Sequence, residues 1–294
     1  MPWDIAACGT LHRDDITTPH GHSNRLGGSA VYFALAASLY ARVLLQGITG
    51  ADTAGTYRRM LHGTRADMRG VVVSETPTFI WHAVHDFERW VTATESSEPG
   101  CDPEWVPCLD DVSRAAPVLF LGSMHPALQH RILAQSSARL IGADSMTVFM
   151  RDDIAAVREV VRSADILFLN GEEVQLLAGV EGWRPAARRL IGDGRLRAVV
   201  VKQGPDGASC LTVDGEFERA AHPVERVVDP TGAGDALAGG FLGLCARDER
   251  DDLASFPAAL GEGVRCASAA VSAFGADGLL QMLREEGGVS APPV

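Results

Sequence analysis

With 294 residues, 46% of them hydrophobic, the chain is long enough to bury one large α/β core with a small appendage. The formal net charge of −12 argues against a nucleic-acid surface, and no run of about 18 apolar residues or basic leader points to a membrane, so a soluble, cytoplasmic enzyme with small-molecule partners is expected. Six cysteines without a C-x-x-C spacing are expected as reduced thiols, not as a disulfide frame or zinc site.

Residues 3–9 form a short apolar run ending in Gly9, which reads as a first strand. GTLHRDDI follows, an acidic loop carrying Asp14 and Asp15. His20 and His22 make an H-x-H with no third ligand at helical or hairpin spacing, so a flexible polar loop is expected there. In residues 26–41, LGGSAVYFALAASLYA, Gly27 and Gly28 precede a run of helix formers and aromatics with few polar side chains. That pattern predicts a helix buried against a sheet. Residues 43–55 read as a second strand and the loop after it, with Gly47, Gly50, Asp52 and Gly55 in structural roles.

Residues 71–94 carry β-branched and aromatic side chains at strand frequency, broken at 75–77 and 86–88. At period two, one face holds Phe79, Trp81, Ala83 and His85 and the other Thr78, Ile80, His82 and Val84. Neither face is simply polar, which predicts strands covered on both sides. His82 and His85 fall on opposite faces, against a shared metal site, and Trp81 and His85 read as packed interface residues. Residues 96–114 are a polar return to the main body. Alternation follows: strand 118–121, helix 127–137, strand 140–144, helix 154–162, strand 166–169, helices 171–178 and 184–191, strand 198–201. This order implies a parallel sheet with helices on its faces and ligands at the carboxyl ends of the strands.

Three strand ends carry polar residues. Asp144 ends one strand, either facing phosphates or capping a loop. Asn170-Gly-Glu-Glu173 is an N-cap with acidic first-turn residues. Lys202, the one lysine of the chain, precedes a Gly204-Pro-Asp-Gly207 hairpin turn.

The stretch 228–241, VDPTGAGDALAGGF, carries the most chemistry. Gly232, Ala233 and Gly234 leave backbone N–H groups free to converge on an anion at the start of a helix. Asp235 in that turn would be costly beside a phosphate unless it acts as a general base; taken alone, it also reads as a helix cap. A P-loop is excluded because Gln203 follows Lys202, and the dinucleotide fingerprint fails at Leu237. Residues 261–273 read as an Ala-rich helix ending at Phe274-Gly275-Ala276, and 285–294 as a frayed tail.

DPTGAGDALAGGF resembles the C-terminal signature of the ribokinase family, the PfkB-type carbohydrate and nucleoside kinases, with Pro230 where Thr is common. The resemblance implies an α/β fold, a three-layer α/β/α sandwich with a mostly parallel central sheet and a small β lid. It implies one domain over 1–294, with the lid inserted at about 71–100 and contributing a homodimer contact. By resemblance Gly232, Ala233 and Gly234 form the anion hole and Asp235 is the catalytic base. Asp14 grips substrate hydroxyls, and Gly27 and Gly28 let the backbone approach the sugar. Phe33 stands where the family commonly has a substrate-binding Asn, a departure that puts a plain ribose or fructose in doubt. Asn170 and Glu173 match the motif whose Glu orients hydrated Mg²⁺, while Lys202, Gly204 and Gly207 fall beside the nucleotide. Asp229 matches a carboxylate at a monovalent-cation site, which brings in K⁺ beside ATP and Mg²⁺. The implied function is transfer of the γ-phosphoryl group of ATP to a hydroxyl of a small neutral sugar. The alternatives are a nucleoside kinase and a non-catalytic nucleotide- or sugar-binding regulator; an intact Asp235 and Glu173 speak against the regulator.

Overall fold

The structure, a computed structural model, describes residues 3–88 and 91–287, so the tail 288–294 and Arg89 and Trp90 of the lid stretch lie outside the described residues. Thirteen strands are present among them: β1 (Ile5–Cys8), β2 (His12–Thr18), β3 (Gly21–Gly27), β4 (Val43–Gly50), β5 (Ala66–Ser74), β6 (Ile80–Asp86), β7 (Val91–Glu98), β8 (Val118–Leu121), β9 (Leu140–Asp144), β10 (Ile166–Asn170), β11 (Ala198–Lys202), β12 (Ala208–Thr212) and β13 (Gly215–Arg219). Nine of them form one sheet in the order β13-β12-β11-β10-β9-β8-β1-β4-β5. Neighbours from β11 through to β5 are parallel, and β12 and β13 add an antiparallel edge.

The apolar runs explain this sheet. IAAC, VLFL and AVVV have no polar face to show to water, so they suit strands covered on both sides by crossover helices. Alternate side chains feed two cores. Ile5, Phe120, Phe168 and Val200 pack with the helices Ser29–Ala37, Ala233–Arg247 and Phe256–Ala270. Ala6, Leu119, Leu167 and Val199 pack on the other face with Ile154–Ser163, Gly171–Ala178 and Trp183–Leu190. The result is the expected three-layer sandwich.

The second sheet differs from expectation. It has the order β3-β2-β6-β7, with residues 13–17 of β2 running parallel to 80–84 of β6. The lid stretch of about 71–100 therefore supplies only half of it. Residues 71–74 belong to β5 and pair with β4, and residues 12–27, which take in the loops expected at 9–16 and around His20 and His22, form the β2–β3 hairpin. His22 sits in β3 against Asp15, not in a flexible loop. Among the described residues, coverage of both faces is not found either. Ala83 and His85 of β6 are buried, but residues 92–98 of β7 are exposed.

Smaller departures have local causes. Asp52 and Gly55 lie on the helix Ala51–Leu61, not in a loop, and Asp52 Oδ1 accepts from both the N–H (3.1 Å) and the hydroxyl (2.8 Å) of Thr78. The Ala-rich run 261–273 is the later part of a helix that starts at Phe256, where Pro257 fits the first turn because its missing N–H would have no partner there. The helix expected at 127–137 is Pro126–Leu133. All six cysteines are thiols, and only Cys108 is exposed. Among the described residues no helix is long and apolar enough to cross a membrane.

Candidate active site

Parallel strands end side by side, so residues far apart in sequence meet at their carboxyl ends. Asp144 closes β9, Asn170 closes β10 and Lys202 closes β11, with Phe168 in register with Asp144 and Asn170 in register with Lys202. Lys202 Nζ donates to Asp144 Oδ2 at 2.9 Å and Oδ1 at 3.1 Å. Burial opposes both charges: it raises the Asp144 carboxyl, while on Lys202 the Asp144 and Glu173 carboxylates outweigh it and raise the ammonium. We take the pair as ionised, because an ammonium 2.9 Å away favours the carboxylate over the acid.

Asn170 and Glu173 are joined in a capping box on the helix Gly171–Ala178. Asn170 Oδ1 accepts from Glu173 N and Glu173 Oε2 accepts from Asn170 N, both at 2.9 Å. Burial raises the Glu173 carboxyl above its usual range, and Lys202 opposes the shift. The cap holds this carboxylate beside the Lys202–Asp144 pair.

The Gly-Ala-Gly turn opens the helix Ala233–Arg247, with Gly232 as its N-cap at φ 74°. A side chain at Gly232 is excluded twice, by that left-handed backbone and by the Tyr32 ring, whose Cγ would lie 2.2 Å from an added Cβ. Ala233 N–H is taken by Pro230 O at 3.3 Å. Of the three expected anion donors it is thus the one already bonded. Gly234 and Asp235 lie in the first helical turn, where N–H groups have no preceding turn to bond to. Lys202 lies across this turn, with Nζ 3.0 Å from where a Gly234 Cβ would stand.

Asp235 follows directly. Its Oδ1 is buried and has no hydrogen-bond partner among the described residues. Burial, and then the Asp144 charge, push its carboxyl from 3.8 up to about 7, against Lys202 and His12. A carboxyl so placed is poised to exchange a proton near neutral pH.

The acceptor side is built by β2. Asp14 is 2% exposed, accepts from the Tyr32 hydroxyl at 3.0 Å and makes a 2.9 Å ion contact with His12 Nε2. Burial lowers His12, but the Asp14 charge and hydrogen bond outweigh it and raise the imidazole. Gly27 packs on this pair so closely that a Cβ would meet Asp14 Oδ2 at 1.9 Å. Gly28 caps the helix Ser29–Ala37 at φ 102°. The space around both glycines is filled by the protein's own groups. His12 Nδ1 and Asp102 Oδ1 are buried without partners among the described residues, and burial pushes the Asp102 carboxyl to about 6.

Phe33 does not face this site. It is fully buried and stacks on Phe120 with ring centroids 3.9 Å apart. One residue along a helix turns the side chain by about 100°, and it is Tyr32 that points to Asp14. Gly204 opens a 3₁₀ turn after β11 and Gly207 closes it against the Arg219 backbone.

Asp229 is committed to its own turn. Oδ1 accepts from Thr231 N at 2.9 Å and Oδ2 from Gly275 N at 3.3 Å, with His85 Nε2 3.5 Å from Oδ1.

Tyr32, His12 and Asp102 are the site groups that motif reading passed over. Had residues 12–18 been read as a strand, the i, i+2 spacing of His12 and Asp14 would have placed both on one face.

The family model for pfkB family carbohydrate kinases matches residues 4–281. A cytidine kinase from Thermococcus kodakarensis is 30% identical over 81% of this chain and 87% of its own length. A 2-dehydro-3-deoxygluconokinase from Thermoproteus tenax is 28% identical over 82% of this chain and 80% of its own. The crystal structure of adenosine kinase from Sinorhizobium meliloti superposes with a TM-score of 0.80 over 97% of this chain and 99% of that one, at 20% identity, which speaks to the fold.

Proposed function

The chain belongs to the pfkB family of carbohydrate kinases, and from that premise we propose that it transfers the γ-phosphoryl group of ATP to a hydroxyl of a neutral sugar, with Asp235 as the base. The observation that carries the reading is the unpartnered, buried Asp235 carboxyl in the first turn of a helix whose N–H groups face the same space. Ionised Asp235 takes the proton of the acceptor hydroxyl as its oxygen bonds to the γ-phosphorus, and the bond from that phosphorus to the β,γ-bridging oxygen breaks to release ADP. The N–H groups of Gly234 and Asp235, the helix dipole and Lys202 favour the charge on the transferring oxygens.

Mg²⁺ bound with the nucleotide would supply charge neutralisation between the β- and γ-phosphates. The residues fit such an ion: Glu173 and Asp144 are hard oxygen donors beside the turn, and Glu173 would hold it through water. No step is routed through a monovalent cation. On the nucleotide side, Asn170, Lys202, Gly204 and Gly207 flank the carboxyl ends of β10 and β11.

Asp14, Tyr32 and the partnerless His12 Nδ1 and Asp102 Oδ1 suit a neutral, hydroxyl-bearing acceptor. The ribose of a nucleoside offers the same hydroxyls. The 30% relative is a cytidine kinase, which favours a nucleoside as the second reading, while the comparably similar kinase of a sugar acid shows that this degree of identity does not carry the substrate over. ADP release from ATP and Mg²⁺ against neutral sugars, sugar acids, sugar phosphates and nucleosides tests the class. Turnover of sugar phosphates alone would overturn the neutral acceptor. We also propose a cytoplasmic enzyme that dimerises through the small sheet, whose edge strand β7 is exposed along 92–98. Light scattering that gives a monomer at micromolar concentration would remove the dimer.

A further inference from the structure

His85 is buried, 5% exposed, on the strand of the small sheet that faces the main body. Its Nδ1 lies 2.8 Å from the Thr92 hydroxyl of β7 and its Nε2 2.9 Å from the Thr231 hydroxyl. Either hydroxyl can donate or accept, so the imidazole is held in both neutral tautomers. Thr231 sits immediately before Gly232. The same turn is fixed from two other directions: Asp229 bonds to Thr231 N and Gly275 N, and Val228 N–H donates to Val271 O at 2.8 Å. Tyr32 closes it from behind Gly232. The side toward the small sheet is held by His85.

We propose that His85 is a positioning residue that pins the turn leading into the anion-binding N–H groups to the small sheet. The turn then takes its working shape when β6 lies on it, and seating of the sheet over an acceptor is coupled to readiness for phosphoryl transfer. In this role the imidazole acts through Thr231. This inference rests on the kinase reading for its rate effect but not for its structural effect.

The test combines amide hydrogen exchange over residues 228–235 with steady-state kinetics for His85→Leu, His85→Gln, Thr231→Val and the double variant His85→Leu/Thr231→Val. Expected are faster exchange in 228–235 with the nine-stranded sheet unchanged, and a fall in kcat of about tenfold, the rate equivalent of one buried hydrogen bond, with acceptor KM within about twofold. Thr231→Val should match His85→Leu, the double variant should be no worse than either, and His85→Gln should recover most of the rate. Unchanged exchange and kcat in His85→Leu, or additive losses in the double variant, would overturn the proposal. A rise in acceptor KM alone would make His85 a substrate contact instead. If no acceptor turns over in the unaltered enzyme, the kinase reading fails, while the exchange result still decides the pin. If His85→Leu does not fold, His85→Gln and Thr231→Val decide it by the same readouts.

Discussion

The two sides of the cleft are made in different ways. On the phosphate side, charged groups from three neighbouring strand ends satisfy one another: Lys202 pairs with Asp144, and Glu173 is locked to Asn170. Among the described residues, the carboxylate oxygen left without a partner on this side is Asp235 Oδ1. The acceptor side keeps polar atoms in reserve, His12 Nδ1 and Asp102 Oδ1, around a carboxylate shared by His12 and Tyr32. One wall is a preformed electrostatic frame that needs no ligand to be stable. The other is incomplete until hydroxyls fill it, which puts substrate choice on the small sheet and the chemistry on the large one.

The largest break in that contrast comes from the unpaired Asp235 carboxylate oxygen of the frame. Asp235→Asn should fold and bind ATP, yet lose about 10²- to 10⁴-fold in kcat, as expected for a lost general base. Near-normal turnover would remove Asp235 from its role. With its carboxyl raised to about 7, kcat/KM should rise about tenfold per pH unit below neutrality and level off above it. The sign for stability is opposite. The unfolded Asp ionises near 3.8 and the folded one near 7, so through that window the unfolded state binds fewer protons and stability falls as pH rises. Asp235→Asn should therefore melt higher than the unaltered protein at pH 8, and a lower melting point would show that the buried carboxyl is not costly there.

Next in size is the frame's own pair. Lys202→Met would leave Asp144, 5% exposed, without its counter-charge. Such losses cost about 3–5 kcal/mol when a pair is fully buried, and the 21% exposure of Lys202 puts this one near about 3 kcal/mol. Urea unfolding at pH 7 measures it. A cost under about 1 kcal/mol would mean that Asp144 takes up a proton and the frame is not charged. On the opposite wall, Asp14→Asn should cut acceptor kcat/KM about 10- to 100-fold, the worth of charge-assisted hydrogen bonds, while KM for ATP stays put. If ATP KM moved equally, the division of labour between the walls would be lost.

The same division decides what could be read in advance. The frame is legible because each part is local: an apolar run ending in Asp, Asn or Lys, or a small-residue turn opening a helix. Strands 118–121 and 140–144 match to the residue for that reason. The acceptor wall depends on a parallel pairing of β2 with β6, about 65 residues apart along the chain and visible in neither segment alone. HRDDITT does not look like a strand, since of its three buried positions only Ile16 is apolar, and the buried Asp14 takes its partners, Tyr32 and His12, from the folded structure. Motif position points to Phe33 as a site residue, whereas helical phase turns it to Phe120 and brings Tyr32 to Asp14.

The smallest expected effect tests where cap and ligand meet. Asn170→Ala removes the bond from Glu173 N to Asn170 Oδ1 and should cost about 1 kcal/mol, the usual price of an N-cap. A cap alone predicts nothing further, because the helix Gly171–Ala178 is also held by Val174 and Leu177 in the core. Glu173, however, keeps its carboxylate bonds to the residue-170 and Thr147 N–H groups in that variant but loses the partner that fixes the start of its helix. If Glu173 orients Mg²⁺ through water, the Mg²⁺ concentration at half-maximal rate should rise about threefold or more, since a looser first turn of the helix that carries the carboxylate gives up part of its preorganisation. An unchanged Mg²⁺ dependence beside the stability loss would leave Glu173 a structural cap and move the metal's ligand search to Asp144.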